Sequence, residues 1–170
     1  TRAEALTSER DDLKAKLAAA REQNKQLEAQ AAELKKAAEA PAAAADAGKV
    51  VARLEALGAD LFQDGDYSAA NAVLLSACDL GSKSPLAFYQ LAFANSSVGG
   101  YAEAAGWYQK ALDALSQQPD ADRGLQERCL CNYGVALAQT GKVPEAVAAY
   151  TRALALDPSY TPPLYNLALL

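Results

Sequence analysis

One pattern of about 34 residues runs three times through this chain, and it constrains the fold more than any other feature. The first copy reads Leu54-x-x-Leu57-Gly58, then Gly65-x-Tyr67-x-x-Ala70, then Leu74-x-x-Ala77. The second reads Phe88-x-x-Leu91-Ala92, Gly99-x-Tyr101-x-x-Ala104, Tyr108-x-x-Ala111. The third reads Leu130-x-x-Tyr133-Gly134, Gly141-x-Val143-x-x-Ala146, Tyr150-x-x-Ala153, closed by Pro158. Small residues alternating with bulky ones at these spacings specify two helices packed antiparallel. Gly58, Ala92 and Gly134 fall where the second helix of a pair crosses the first, and Ala70, Ala104 and Ala146 answer them from the second helix. A larger side chain there would force the axes past the usual ~8–10 Å. Leu74, Tyr108 and Tyr150 fill the space beside them. Gly65, Gly99 and Gly141 mark the turn between the paired helices, where a left-handed backbone favours glycine. Repeated units of this kind stack on their neighbours into a solenoid with an extended curved surface.

The three copies resemble the tetratricopeptide repeat family over frames 51–84, 85–118 and 127–160, with an insert at 119–126 before the third. The departures are the absence of tryptophan at Leu54, Phe88 and Leu130, valine at Val143 where a tyrosine is usual, and no closing proline in the first two copies. None removes a packing element. The resemblance implies an all-α fold: a right-handed α-solenoid of about three helix-pair repeats plus a terminal helix. It also implies that the concave face, lined by the first helix of each pair, holds a protein or peptide. The slots facing that groove carry Glu55, Ala59, Phe62 and Gln63 in the first copy. They carry Tyr89, Gln90, Phe93, Ser96 and Ser97 in the second, and Arg128, Cys131, Asn132, Val135 and Gln139 in the third. Tyr165, Asn166 and Leu169 continue them. One subfamily clamps a C-terminal carboxylate with lysine, arginine and asparagine there. Glu55, Ala59, Leu86 and Gln90 stand in those slots here, which argues against that mode. The groove expected instead is aromatic and polar. Phe62, Tyr89, Phe93 and Tyr165 would serve as anchors, with Gln90, Asn132 and Asn166 to bond a peptide backbone. The alternatives are that Phe93, Val135 and Cys131 only pack copy against copy, or that a final helix of the full-length protein fills the groove.

Ahead of the repeats lies a long helical pattern. Leu6, Leu13, Ala20, Leu27 and Leu34 recur every seven residues, with Ala3, Arg10, Leu17, Asn24, Ala31 and Ala38 as the alternate row. That is a heptad seam over residues 1–39, a coiled coil about 55 Å long. Its expected role is self-association through Leu6, Leu13, Leu17, Asn24, Leu27 and Leu34, with Asn24 and Arg10 favouring two strands. Residues 40–48 read as a semi-stiff Ala/Pro linker, with Pro41 ending the rod and Asp46 capping the next helix. The solenoid, 49–170, should hold helices near 48–63, 67–80, 85–97, 101–117, 124–140 and 143–156. Asp66, Ser84 and Thr161 are expected as N-caps, the last two each followed by a first-turn proline. Residues 161–170 begin one more helix, the first half of a fourth copy or a closing helix. Its apolar Ala-Leu-Leu end suits a chain that continues.

Composition narrows the function. With no histidine among 170 residues, no Ser/His/Asp or Cys/His arrangement can form. The turn carboxylates Asp64 and Asp66 are explained by capping, and Gly99-Gly100 is a repeat turn rather than a phosphate loop. No enzymatic role, metal or cofactor is expected. Cys78, Cys129 and Cys131 are an odd number without ligand spacing, and buried apolar packing is their expected place. No apolar run approaches membrane-spanning length. Residues 1–40 carry 8 basic and 8 acidic side chains, so the net −5 belongs to the repeats, a balance that disfavours nucleic acid and anionic membrane. The functions left are an interaction scaffold, a purely structural assembly subunit, or a regulatory segment of an enzyme whose catalytic part lies elsewhere. A coiled coil, an Ala/Pro linker and tetratricopeptide repeats are similar in outline to certain bacterial envelope proteins, which favours a periplasmic or envelope-associated place over the cytoplasm, although free cysteines suit the cytosol as well.

Overall fold

The computed structural model describes residues 2–38, 47–118 and 121–170, with side chains described within α1 for 14–16, 18–19 and 21–36. The described residues form eight helices and no strand. They are α1 (Arg2–Ala38), α2 (Ala47–Gln63), α3 (Tyr67–Asp79), α4 (Pro85–Ser97), α5 (Tyr101–Ser116), α6 (Arg123–Gln139), α7 (Val143–Leu156) and α8 (Pro162–Ala168). Helices α2 and α3, α4 and α5, and α6 and α7 are the three hairpins, and each packs on the next.

Local chemistry sets the limits. The Asp66 carboxylate accepts from the Ala69 amide at 3.2 Å, and Ser84 Oγ accepts from the Ala87 amide at 3.3 Å with Pro85 following. Helix α6 starts at Arg123, within one residue of the expected place, where Asp122 caps it by accepting from the Leu125 amide at 2.9 Å. One expectation needs correction. Thr161 makes no side-chain cap to α8, since its backbone is already helical (φ −73°, ψ −28°), which removes the extended geometry a cap needs. The hairpin turns at Gly65, Gly99 and Gly141 hold φ of 79°, 85° and 79°, a conformation that penalises any Cβ.

The crossing points bear out the repeat. Leu74, Tyr108 and Tyr150 are at most 1 % exposed, and Ala70, Ala104 and Ala146 are fully buried. A Cβ added at Gly58 would stand 2.5 Å from Leu74 Cγ, and one at Gly134 would stand 2.7 Å from Tyr150 Cδ1. Each glycine therefore admits the bulky residue sixteen positions later.

The N-terminal helix departs from expectation. The heptads predict a rod apart from the solenoid, but the second half of α1 lies along α3. Ala31 is 2 % exposed and shares a buried cluster with Ala69, Ala70, Val73 and Ala77, against which Leu27 and Leu34 also pack. Asn24 Nδ2 donates to Asp66 Oδ1 at 3.2 Å, and Lys35 Nζ pairs with Asp79 Oδ2 at 2.5 Å. The reason is physical: α3 has no preceding hairpin to cover its apolar flank, and the seam of α1 is an apolar stripe of matching pitch. The side chains of Leu6, Leu13 and Leu17 lie outside the described residues, as do most of the linker 40–48, with Pro41 and Asp46, and part of the insert.

Candidate functional site

The first helices of the hairpins adjoin in order, α2 to α4, α4 to α6 and α6 to α8, and form one face of the stack. Two recesses open between them. The first, about 250 Å³, is lined by Glu55, Ala59, Leu86 and Gln90, with Ala52 and Ala56 at its edge. The second, about 220 Å³, is lined by Phe93, Ser96, Ser97, Asn132 and Val135, with Tyr101 and Tyr108 on its floor.

These linings hold about half of the slots expected from sequence, leaving out Phe62, Tyr89, Arg128, Gln139, Tyr165 and Asn166, and the side chains differ in availability. Tyr89 is 8 % exposed and Gln90 6 %, so both shape the groove from beneath rather than stand in it. The Tyr89 hydroxyl accepts from Asn132 Nδ2 at 3.3 Å, and its ring meets Phe93 and Tyr108 with centroids 6.3 and 6.0 Å away. Phe62, Tyr67 and Phe93 form an aromatic triangle with centroid separations of 5.3–5.4 Å. Phe62 and Phe93 thus join the first copy to the second, and Phe93 also lines the second recess. Glu55 is half-buried and accepts a hydrogen bond from Ser82 Oγ in the loop after α3. Arg128 is exposed on α6, and its charge works against the upward shift that burial imposes on the Tyr89 phenol. Gln139 is exposed at the end of α6, and Tyr165 is 68 % exposed on α8. Asn166 is drawn inward, donating to Cys131 Sγ at 3.6 Å. Tyr101 and Tyr108 were missed as lining residues because they belong to a second helix. The glycine turn before Tyr101, which returns the chain to the groove's edge, was the available signal.

The three cysteines are unpaired thiols in packed surroundings. Burial pushes Cys78 up to about 11 and Cys129 up to about 12, and it raises Cys131 as well. Burial also raises Tyr89 and Tyr108, and lifts Tyr150 and Tyr160 to about 12. All these groups are neutral at pH 7, and the fold resists their ionisation. In the unfolded chain thiols ionise near 9 and phenols near 10. The unfolded state therefore loses protons first, so the stability from these groups is complete below pH 9 and drains away as pH climbs toward 12. The urea midpoint should be level around neutrality and decline steadily above pH 9. A midpoint still level at pH 11 would contradict the burial of these groups. Among the described residues no cluster of acidic and cysteine side chains could hold a metal ion, and no helix is long and apolar enough to cross a membrane.

Residues 84–159 match the tetratricopeptide repeat family, and the three hairpins have that fold. Solved structures similar to this chain include the N-terminal domain of stress-induced protein-1 from C. elegans, at TM-score 0.59 and 17 % identity, covering 69 % of this chain and 91 % of that one. The second repeat domain of human RPAP3, solved with the HSP70 peptide SGPTIEEVD, gives TM-score 0.58 and 21 % identity over 68 % and 89 %. The Yersinia enterocolitica type III secretion translocator chaperone SycD gives TM-score 0.57 and 19 % identity over 72 % and 91 %. No curated protein matches the chain in sequence.

Proposed function

We propose that this tetratricopeptide repeat chain is a non-catalytic interaction scaffold whose groove takes a segment of a partner protein, and that α1 contributes self-association. The observation that supports the reading is the row of two recesses, each on the face where one hairpin's first helix meets the next. Each is mostly apolar with a few polar groups: Gln90 and Glu55 in one, Asn132 and two serines in the other. That mixture suits an extended or helical segment inserting one apolar side chain per recess, with its backbone met by Glu55 at one and by Asn132 and the serines at the other. RPAP3 and SycD have been solved with peptides, which shows the fold's capacity for such work. The lining here lacks basic residues at Glu55, Ala59, Leu86 and Gln90, so an acidic C-terminal tail is not the segment we propose.

The test is capture of a partner from the source cells with residues 47–170, followed by titration against Ala59→Arg and Val135→Arg, which fill the recesses from half-exposed positions. Each should weaken binding roughly tenfold, about 1.4 kcal/mol, while the thermal midpoint holds. Unchanged affinity in both removes the groove from the account. One observation favours a second reading, a purely structural assembly subunit. Helix α8 presents Leu164, Tyr165 and Leu169 at 50, 68 and 67 % exposure, together an apolar surface suited to packing against another subunit. A captured partner that proves to be a second copy, held equally by both variants, would favour that reading.

A further inference from the structure

Over residues 21–34 the heptad seam and the docked face of α1 are the same residues. Between 21 and 34 every side chain is exposed except Asn24, Leu27, Ala31 and Leu34. These four belong to the two heptad rows: Leu27, Ala31 and Leu34 pack into a cluster built mainly from α3 with α2 at its edge, and Asn24 meets Asp66 at the start of α3. Lys35 meets Asp79 at the end of α3, so the two helices run parallel. Helix α3 thus stands where the second strand of a parallel coiled coil would be. We infer that this stripe is one interface with two exclusive occupants: α3 of its own chain, which closes the solenoid, or α1 of a second copy. Self-association through residues 21–36 then requires α1 to leave α3. This rests on the reading, given above, that α1 self-associates.

Two features make the docked state releasable. Asn24 Oδ1 is buried with no hydrogen-bond partner, a cost carried only while α1 is docked. Between two parallel copies the same amide could pair with its counterpart across the seam. The contact is also narrow. Open grooves run beside it, one of about 620 Å³ lined by Ala29, Gln30, Glu33, Leu34 and Arg53 and one of about 440 Å³ lined by Gln23, Asn24, Leu61 and Asp66 with the turn beside it, so solvent reaches the flanks of the docked helix. The occupant is a second copy rather than an unrelated helix because Leu27 and Leu34, Asn24 and Ala31 are mutually complementary in heptad register.

The experiment uses the full chain with Asp79→Lys, which turns the ion pair with Lys35 into repulsion at an exposed position and leaves the seam untouched. Light scattering over a concentration series gives the association constant, and amide exchange over residues 21–36 in dilute samples reports undocking. Asp79→Lys should raise the association constant about fivefold while speeding that exchange, and adding Leu27→Asp should return the protein to monomer. Faster exchange with unchanged association overturns the competition but spares self-association. Monomer at every concentration for both wild type and Asp79→Lys, or association that survives Leu27→Asp, overturns self-association through this seam and the competition with it. Slow exchange in Asp79→Lys calls for Asp66→Asn in addition, which keeps the cap of α3 but removes the charged acceptor of Asn24. Association that stays unchanged in the double variant once exchange has risen sinks the proposal, and so does exchange that stays slow.

Discussion

Replacing Tyr108 by alanine should lower stability by about 3–5 kcal/mol, the usual cost of deleting a large buried ring. Tyr108 is fully buried and sits in one cluster with Ala92, Ala104, Leu112, Cys129 and Leu130, so its ring bridges the second hairpin to the third. The Cys129 thiol donates to its backbone carbonyl at 3.6 Å, which brings α6 against α5 at this level. The walls of the hole are helices held by their own hairpins and have little freedom to collapse. Domains of this size are stable by only about 5–15 kcal/mol, so the variant should unfold at a much lower urea concentration. Stability in a stack is a sum over neighbours, so the loss should fall on α4–α7 first and leave α2 and α3 protected from amide exchange. A shift below about 1 kcal/mol would mean that the ring is not the keystone described here.

Gly134→Val should destabilise by about 1–3 kcal/mol, although helix propensity predicts the opposite. Glycine inside a helix is roughly 0.5–1 kcal/mol worse than alanine, so filling an idle glycine helps. Gly106 is such a position: it is exposed on α5, and a Cβ there would meet nothing within 4 Å. Gly106→Ala should therefore stabilise. At Gly134 the new side chain meets the Tyr150 ring, which is 1 % exposed and cannot swing aside. Thermal melts of the two variants should move in opposite directions. A gain at both would show that α6 and α7 have room to part.

The repeat was legible because its information is local and redundant. The partners Gly58 and Leu74, Ala92 and Tyr108, and Gly134 and Tyr150 recur at one spacing, and each encodes a contact inside one hairpin. The shared face of the first helices was legible in part, since a residue's place in the repeat decides which side of its helix it occupies, but only about half of the expected slots line a recess. Depth was not. Tyr89 and Gln90 occupy groove-facing slots yet lie buried, because neighbouring first helices approach closely there, a property of the stack rather than of any one copy. The seat of α1 was not legible either. Periodicity shows that Leu27, Ala31 and Leu34 need an apolar partner, but α3 and a second α1 offer nearly the same surface. Asp122 was passed over as a cap because the Arg-Gly pair after it reads as loop. The Leu125 amide it satisfies is apparent only once α6 is in place.

Contacts in the described stack run from each helix to those beside it, so no hairpin knows how many others exist. Such a chain has no natural length. Cutting out residues 85–118 would bring α3 against α6 through surfaces of the same design, and duplicating them would extend the array. Tension applied to its ends would peel it one hairpin at a time, making the molecule a graded spring rather than a brittle link.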